Sequence, residues 1–135
     1  MNVWCFDLDG CLVDSLAATH LRPHADVLLA GLVERGAEVR IWSAGGADYA
    51  ERVAHRVGIA DWITSYHDKD RGPSGFWDPP PVPDGHALVC IDDQPDGEPP
   101  HVETIAVFPY LGRSPHDSAL RRITDELDWR FAKAS

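Results

Sequence analysis

The sequence predicts an α/β domain in which a mostly parallel five-stranded sheet lies between helical layers, a three-layer α/β/α sandwich. Three observations carry this. Short apolar runs alternate with segments of helical periodicity, and repeated strand–helix–strand units form a parallel sheet covered by helices. The first run, "VWCF" at 3–6, is apolar on both faces, as a strand buried on both sides must be. The 135 residues, 44% hydrophobic and 25% charged, suffice for one globular core and suggest a single domain over 1–135.

The first strand is expected over Val3–Leu8. Pro23 suits the first turn of a helix and Gly36 its end. Between them Ala25, Leu28, Leu29, Leu32 and Val33 fall on one helical face. Ala37–Trp42 reads as the second strand. The turn "SAGG" then opens a helix with Ala50, Val53, Ala54 and Val57 on one side and Gly58 at its end. A short third strand is expected at Trp62–Tyr66, a fourth at Ala87–Ile91 and a fifth at Thr104–Phe108. Ser114 and Asp117 have the spacing of a capping box for the last helix, whose apolar face is Leu120, Ile123 and Leu127. Trp4, Trp42 and Trp62 are expected in the core.

Charge and cysteine content narrow the function classes. Twelve basic against 22 acidic side chains give a net charge of −10. That argues against general nucleic-acid binding, which draws its affinity from Lys and Arg on phosphates. The N-terminus has no secretory-signal pattern, and no apolar stretch is long enough to span a bilayer. Cys5, Cys11 and Cys90 are odd in number and two lie in apolar strands, so they read as reduced thiols of a cytoplasmic protein. The seven histidines show no paired metal-ligand spacing.

In parallel sheets, ligands bind beyond the carboxyl ends of the strands. Asp7 and Asp9 follow the first strand, and residues i and i+2 of an extended segment point the same way. Gly10 lets the chain turn away sharply. Ser43 follows the second strand, Lys69 the third, and Asp92 with Asp93 the fourth. Clustered carboxylates are costly without a cation between them. Mg²⁺ prefers such oxygen ligands and shares them with phosphate, so Asp7 and Asp92 are its expected holders. Lys69, the Ser43 hydroxyl and backbone N–H groups, Ala44 among them, would fix the phosphoryl oxygens. A carboxylate could then attack phosphorus, with Asp9 handling protons.

The order Asp-x-Asp-Gly, Ser, Lys, Asp-Asp, with "DLDGCLVDS" as its first motif, resembles the haloacid dehalogenase superfamily over nearly the whole chain. The resemblance implies a Rossmann-like core with Asp7 as nucleophile and Asp9 as general acid/base. It implies Ser43 and Lys69 as phosphoryl ligands. Asp7, the carbonyl of Asp9 and Asp92 would be Mg²⁺ ligands, with Asp93 and Gly10 behind them. Dehalogenases and phosphonatases of that superfamily lack the second aspartate, so Asp9 favours phosphate esters. Cys11 replaces the usual Thr or Val and is expected to pack inertly. "LRPHADVLLAGLVERGAEVRIWSAGGADYAERV" is also similar to the NIF-type phosphatases in Leu21-Arg22-Pro23, Ser43 and Tyr49-Ala50. Gly10-Cys11 departs from the Glu-Thr of that group.

Two slots in which relatives carry a cap domain, 10–22 and 66–86, are too short for one. The second holds a Pro-rich loop at 71–85 with Phe76 and Trp77, for which packing onto the body is preferred over a lid. Capless relatives accept large substrates or close their sites as homo-oligomers. The expected partner is a phosphorylated substrate: a small molecule, a nucleic-acid end or a phosphoprotein. Lys69 is one of two lysines, with Arg71 as the fallback cation. Asp14, Ser15 and Asp96 read as loop. The alternative function is a non-enzymatic phosphoacceptor or phosphate-binding module of receiver-like or degenerate type. Its receiver form places the acidic pair first, whereas here Asp-Asp comes last.

Overall fold

Five strands run parallel in the order β3-β2-β1-β4-β5. They are β1 (Asn2–Asp7), β2 (Glu38–Ser43), β3 (Ser65–Asp68), β4 (Ala87–Asp92) and β5 (Glu103–Ala106). The helices are α1 (Ala25–Glu34), α2 (Ala47–Val57), α3 (Ala119–Asp125) and α4 (Leu127–Lys133), with a 3₁₀ turn at Ala60–Trp62. The computed structural model describes residues 2–93 and 102–133. The expected α/β fold with a five-stranded parallel sheet is observed, with no cap among the described residues; the described helices pack on one face of the sheet, and its edge of strand ends gathers the candidate residues.

Alternation along each strand divides the core in two. Trp4 and Phe6 point to one face with Val39, Ile41, Val89 and Ile91, where they meet Leu28, Leu29 and Leu32 of α1, Val53 of α2 and Leu120 of α3. Cys5, Trp42 and Cys90 form a separate cluster on the other face. Connection handedness explains the division. The steps β1 to β2 and β2 to β3 go the same way, so right-handed crossovers put α1 and α2 on one side. The step from β3 to β4 goes back across the sheet, so its connection lies on the other side. That connection is the Pro-rich segment, which runs as a strap rather than a helix. Trp77 covers the Cys5–Trp42–Cys90 cluster, and the Arg40 guanidinium donates to the Pro81 carbonyl at 2.8 Å. Trp77 thus packs on the body, while Phe76 remains 40% exposed.

Several boundaries differ from the sequence expectation for identifiable reasons. β1 and β2 are each displaced by one residue, and β4 starts at Ala87 as expected but runs one residue further, to Asp92. The third strand begins only at Ser65, because Ala60–Trp62 takes up a 3₁₀ turn and Thr64 N–H donates to Val39 at 2.7 Å. Trp62 therefore packs against the main core from a turn, not from a strand. Pro23 lies before α1, whose N-cap His24 has φ +73°. Val33 sits at the border of the helix's apolar stripe and is exposed. β5 ends at Ala106, leaving Phe108 84% exposed. The expected capping box does not form: α3 starts at Ala119, and the Asp117 carboxylate instead accepts from Arg22 at 2.9 Å and from Ala119 N–H at 3.2 Å. Among the described residues no helix is long and apolar enough to cross a membrane.

Trp77→Ala should expose the cluster beneath it. Loss of a half-buried indole costs about 2 kcal/mol, less than a fully buried one. Cys5 and Cys90 should then react with a thiol reagent faster than in the parent chain, measured by absorbance under native conditions. An unchanged rate contradicts the covering role.

Candidate functional site

β1 delivers Asp7 to the carboxyl edge of the sheet, and the chain then winds tightly. N–H groups of Cys11, Leu12 and Val13 all converge on the Leu8 carbonyl, at 3.2, 2.9 and 3.2 Å. Gly10 has two reasons to be glycine. Its φ is +79°, and a Cβ there would overlap the Asp93 carboxylate. Cys11 is fully buried, its Sγ 3.6 Å from the Ile91 carbonyl, and burial pushes its thiol pKa well up, so it packs as an inert group.

β4, the neighbour of β1, ends at fully buried Asp92, and Asp93 follows. Carboxylate oxygens of Asp7, Asp92 and Asp93 lie within 4.8 Å of one another. Lys69 enters from the end of β3. Its backbone N–H donates to the Ser43 carbonyl at 3.0 Å, and its ammonium donates to Asp92 and lies 3.8 Å from Asp7. The Trp42 and Trp77 rings stand 5.0 and 4.9 Å from that ammonium, walling it with indole faces. Arg71, the fallback cation, instead stacks on Trp77 at 4.5 Å and bonds the Gly75 carbonyl.

Ser43 closes β2. It is buried, and its Oγ accepts the Gly45 N–H at 3.1 Å. Ala44 is exposed in the turn that follows. α2 begins just beyond, and the Asp68 carboxylate at the end of β3 accepts the Ala47 N–H at 2.7 Å. The first turn of α2 presents Tyr49, whose hydroxyl donates to Asp9 Oδ1 at 2.8 Å. One oxygen of the Asp9 carboxylate is thereby engaged by α2. Asp93, expected behind the metal ligands, contributes a carboxylate to the cluster itself.

Two further residues hold this edge together, and neither is evident as a site residue from the sequence. The Arg22 side chain is fully buried and donates to both oxygens of Asp117, to the Gly10 and Cys11 carbonyls at 3.2 and 3.3 Å, and to Phe108 at 2.6 Å. It thus fastens the turn after β1 to the segment after β5. Asp14 accepts N–H groups of Ala17, Thr19 and His20 at 2.8, 2.8 and 2.7 Å. A polar aromatic in the first turn of a helix at the ligand edge was a usable signal for Tyr49. Nothing in the order of residues pairs Arg22 with Asp117. Asp96 lies outside the described residues.

Electrostatics at the cluster are lopsided. Burial pushes the Asp7 carboxyl up to about 9. Lys69 opposes this, and Asp92 and Asp93 add to it. Burial likewise raises Asp9, against the Tyr49 hydrogen bond, with smaller upward pushes from Asp14 and Asp93. Burial and the bond to Asp9 raise the Tyr49 phenol to about 12, so it remains a donor near neutrality. The three carboxyl groups share this corner with the Lys69 ammonium, and their hard oxygen donors fit a hard divalent cation such as Mg²⁺. A cavity of about 470 Å³ opens beside Asp93, lined by Ile105, Val107, Phe108, Pro109 and Arg122 among others. A larger concavity of about 940 Å³ follows the strap to the starts of β4 and β5, and none of the candidate polar residues lines it.

No protein-family model matches the chain, and no curated protein matches it. Among solved structures, the chain is similar to an uncharacterized protein from Listeria monocytogenes serotype 4b. The likeness covers 98% of this chain and 99% of that one, with a TM-score of 0.57 and 13% identity. It establishes the fold alone.

Arg22→Lys should cost about 3 kcal/mol, because an ammonium cannot serve a bidentate carboxylate and three carbonyls at once and leaves buried partners unpaired. A lower urea midpoint at an unchanged slope would register this, and an unchanged midpoint would contradict it. For Asp14, burial alone would raise the pKa, but three backbone N–H bonds and His20 overcome it and hold the carboxyl at about 2. Its stabilisation is thus complete above its ordinary 3.8 and lost as pH falls toward 2. Asp14→Ala should cost about 2 kcal/mol at neutral pH. In urea unfolding followed across pH, the gap to the parent should narrow near pH 2; a constant gap would contradict the assignment.

Proposed function

We propose that this chain is a metal-dependent phosphatase of the haloacid dehalogenase type, hydrolysing a phosphate monoester through an aspartyl-phosphate on Asp7. One observation carries the reading. Asp7, Asp92, Asp93, Lys69 and Ser43 come from four different strand ends and meet at a single edge, with Asp9 beside them. The order of these residues, which resembles that superfamily, supports it independently.

The chemistry divides into two displacements. In the first, an Asp7 carboxylate oxygen bonds to phosphorus while the bond to the ester oxygen breaks. Asp9, in its acid form, gives its proton to the departing alkoxide, releasing an alcohol. In the second, water bonds to phosphorus and loses a proton to the Asp9 carboxylate. The Asp7–phosphorus bond breaks, inorganic phosphate leaves, and both side chains are restored. The raised pKa of Asp9 suits a group that must hold a proton and then accept one. Lys69 and Ser43, with the amide of Ala44, would bind the phosphoryl oxygens. Asp7, Asp92 and Asp93 would hold Mg²⁺, which when bound supplies positive charge to the phosphoryl oxygens and keeps Asp7 ionised. Among the described residues no cap covers the edge, so the phosphorylated group of a small molecule, a nucleic-acid end or a phosphoprotein would reach it.

Release of phosphate from para-nitrophenyl phosphate tests the reading. The native chain should turn over with Mg²⁺ and stop with a chelator, and Asp7→Asn should lose at least about a thousandfold in rate while unfolding as a folded protein does. Undiminished turnover by Asp7→Asn would sink the assignment.

A further inference from the structure

Tyr49 is a polar group in the site that the two displacements do not require. We propose that Tyr49 is the positioning residue for Asp9, selecting which carboxylate oxygen carries the proton to the leaving group. The inference rests on the phosphatase reading.

The Tyr49 hydroxyl donates to Asp9 Oδ1 at 2.8 Å. An oxygen that accepts this bond serves as the carbonyl end of a carboxylic acid, so the acid's proton belongs on Oδ2. The bond also restrains rotation of the carboxyl group, which otherwise exchanges its two oxygens freely. Tyr49 itself is held on a rigid element. The next residue, Ala50, is fully buried in the main core, and its N–H donates to the Gly46 carbonyl at 3.0 Å. The start of α2 is tied to β3 through Asp68 and Ala47. The loop between Ser43 and α2 makes room for the ring: a Cβ at Gly45 would stand 2.7 Å from Tyr49 Cδ2 and 3.2 Å from Cε2. The same loop, through Gly45 N–H, bonds the Ser43 hydroxyl. One short segment therefore fixes both the expected phosphoryl-binding hydroxyl and the orientation of the acid.

A held acid matters in proportion to how poorly the leaving oxygen departs unaided. Acyl phosphates and para-nitrophenyl phosphate release weakly basic oxygens and need little proton donation. Esters of aliphatic alcohols need it most. Tyr49 therefore suits the site to alkyl phosphates.

The test compares kcat/KM, which covers the steps up to departure of the leaving group, for acetyl phosphate, para-nitrophenyl phosphate and glycerol phosphate. Tyr49→Phe keeps the ring and removes the hydroxyl. It should leave acetyl phosphate nearly unchanged and lose on the order of tenfold more on glycerol phosphate than on para-nitrophenyl phosphate, part of the range for general acid catalysis. Gly45→Ala, which displaces the ring but keeps the hydroxyl, should grade the substrates in the same order. Equal losses on all three substrates in both variants would make Tyr49 merely structural and overturn the proposal, as would no loss at all. A native chain inert toward all three would be a failure of the phosphatase reading itself, and the inference would fall with it.

Discussion

Carboxylates buried at the ends of adjacent strands are the constraint on which the rest of this edge depends. Asp7 on β1 and Asp92 on β4 lie side by side because their strands pair in parallel, and Asp93 follows directly. Desolvation and mutual repulsion both disfavour their charged forms. The fold answers with the Lys69 ammonium, drawn from a third strand end and walled by two indoles. The three carboxyl groups offer hard oxygen donors at one point, which is the physical basis for proposing a divalent ion there, with a phosphoryl group beside it.

The supporting structure follows from connection handedness. With both early crossovers on one side, the described helices share a single core and leave the opposite face of the sheet to other cover. The proline strap supplies it. Proline keeps the segment extended and out of helix, and Trp77 anchors it over Cys5, Trp42 and Cys90. The same indole touches Lys69, so the strap that covers the sheet also forms a wall of the site. Arg22 makes the corresponding tie on the other flank, joining the turn after β1 to the residues after β5.

Much of this was legible in the sequence because it is local. Apolar runs gave the strands, and the 3.6-residue pattern gave α1 and α2. The rule that ligands meet strand ends brought Asp7, Ser43, Lys69 and Asp92 to one edge. What the sequence withheld was non-local. Asp117 has the spacing of a capping box, but a buried guanidinium 95 positions away takes its carboxylate. The strap's place on the sheet depends on crossover direction, not on composition. Asp9 and Tyr49 are 40 residues apart and meet only because α2 starts beside the turn after β1. Strand ends erred where a 3₁₀ turn competed with extension, as at Trp62.

On the proposed reading Asp7 accepts the phosphoryl group. Acid quenching during steady turnover, followed by borohydride reduction and peptide mass mapping, tests it directly. Borohydride converts an aspartyl-phosphate to homoserine, so homoserine is expected at position 7, dependent on both substrate and Mg²⁺. Sustained turnover with Asp7 unmodified, or homoserine at another aspartate, would contradict it.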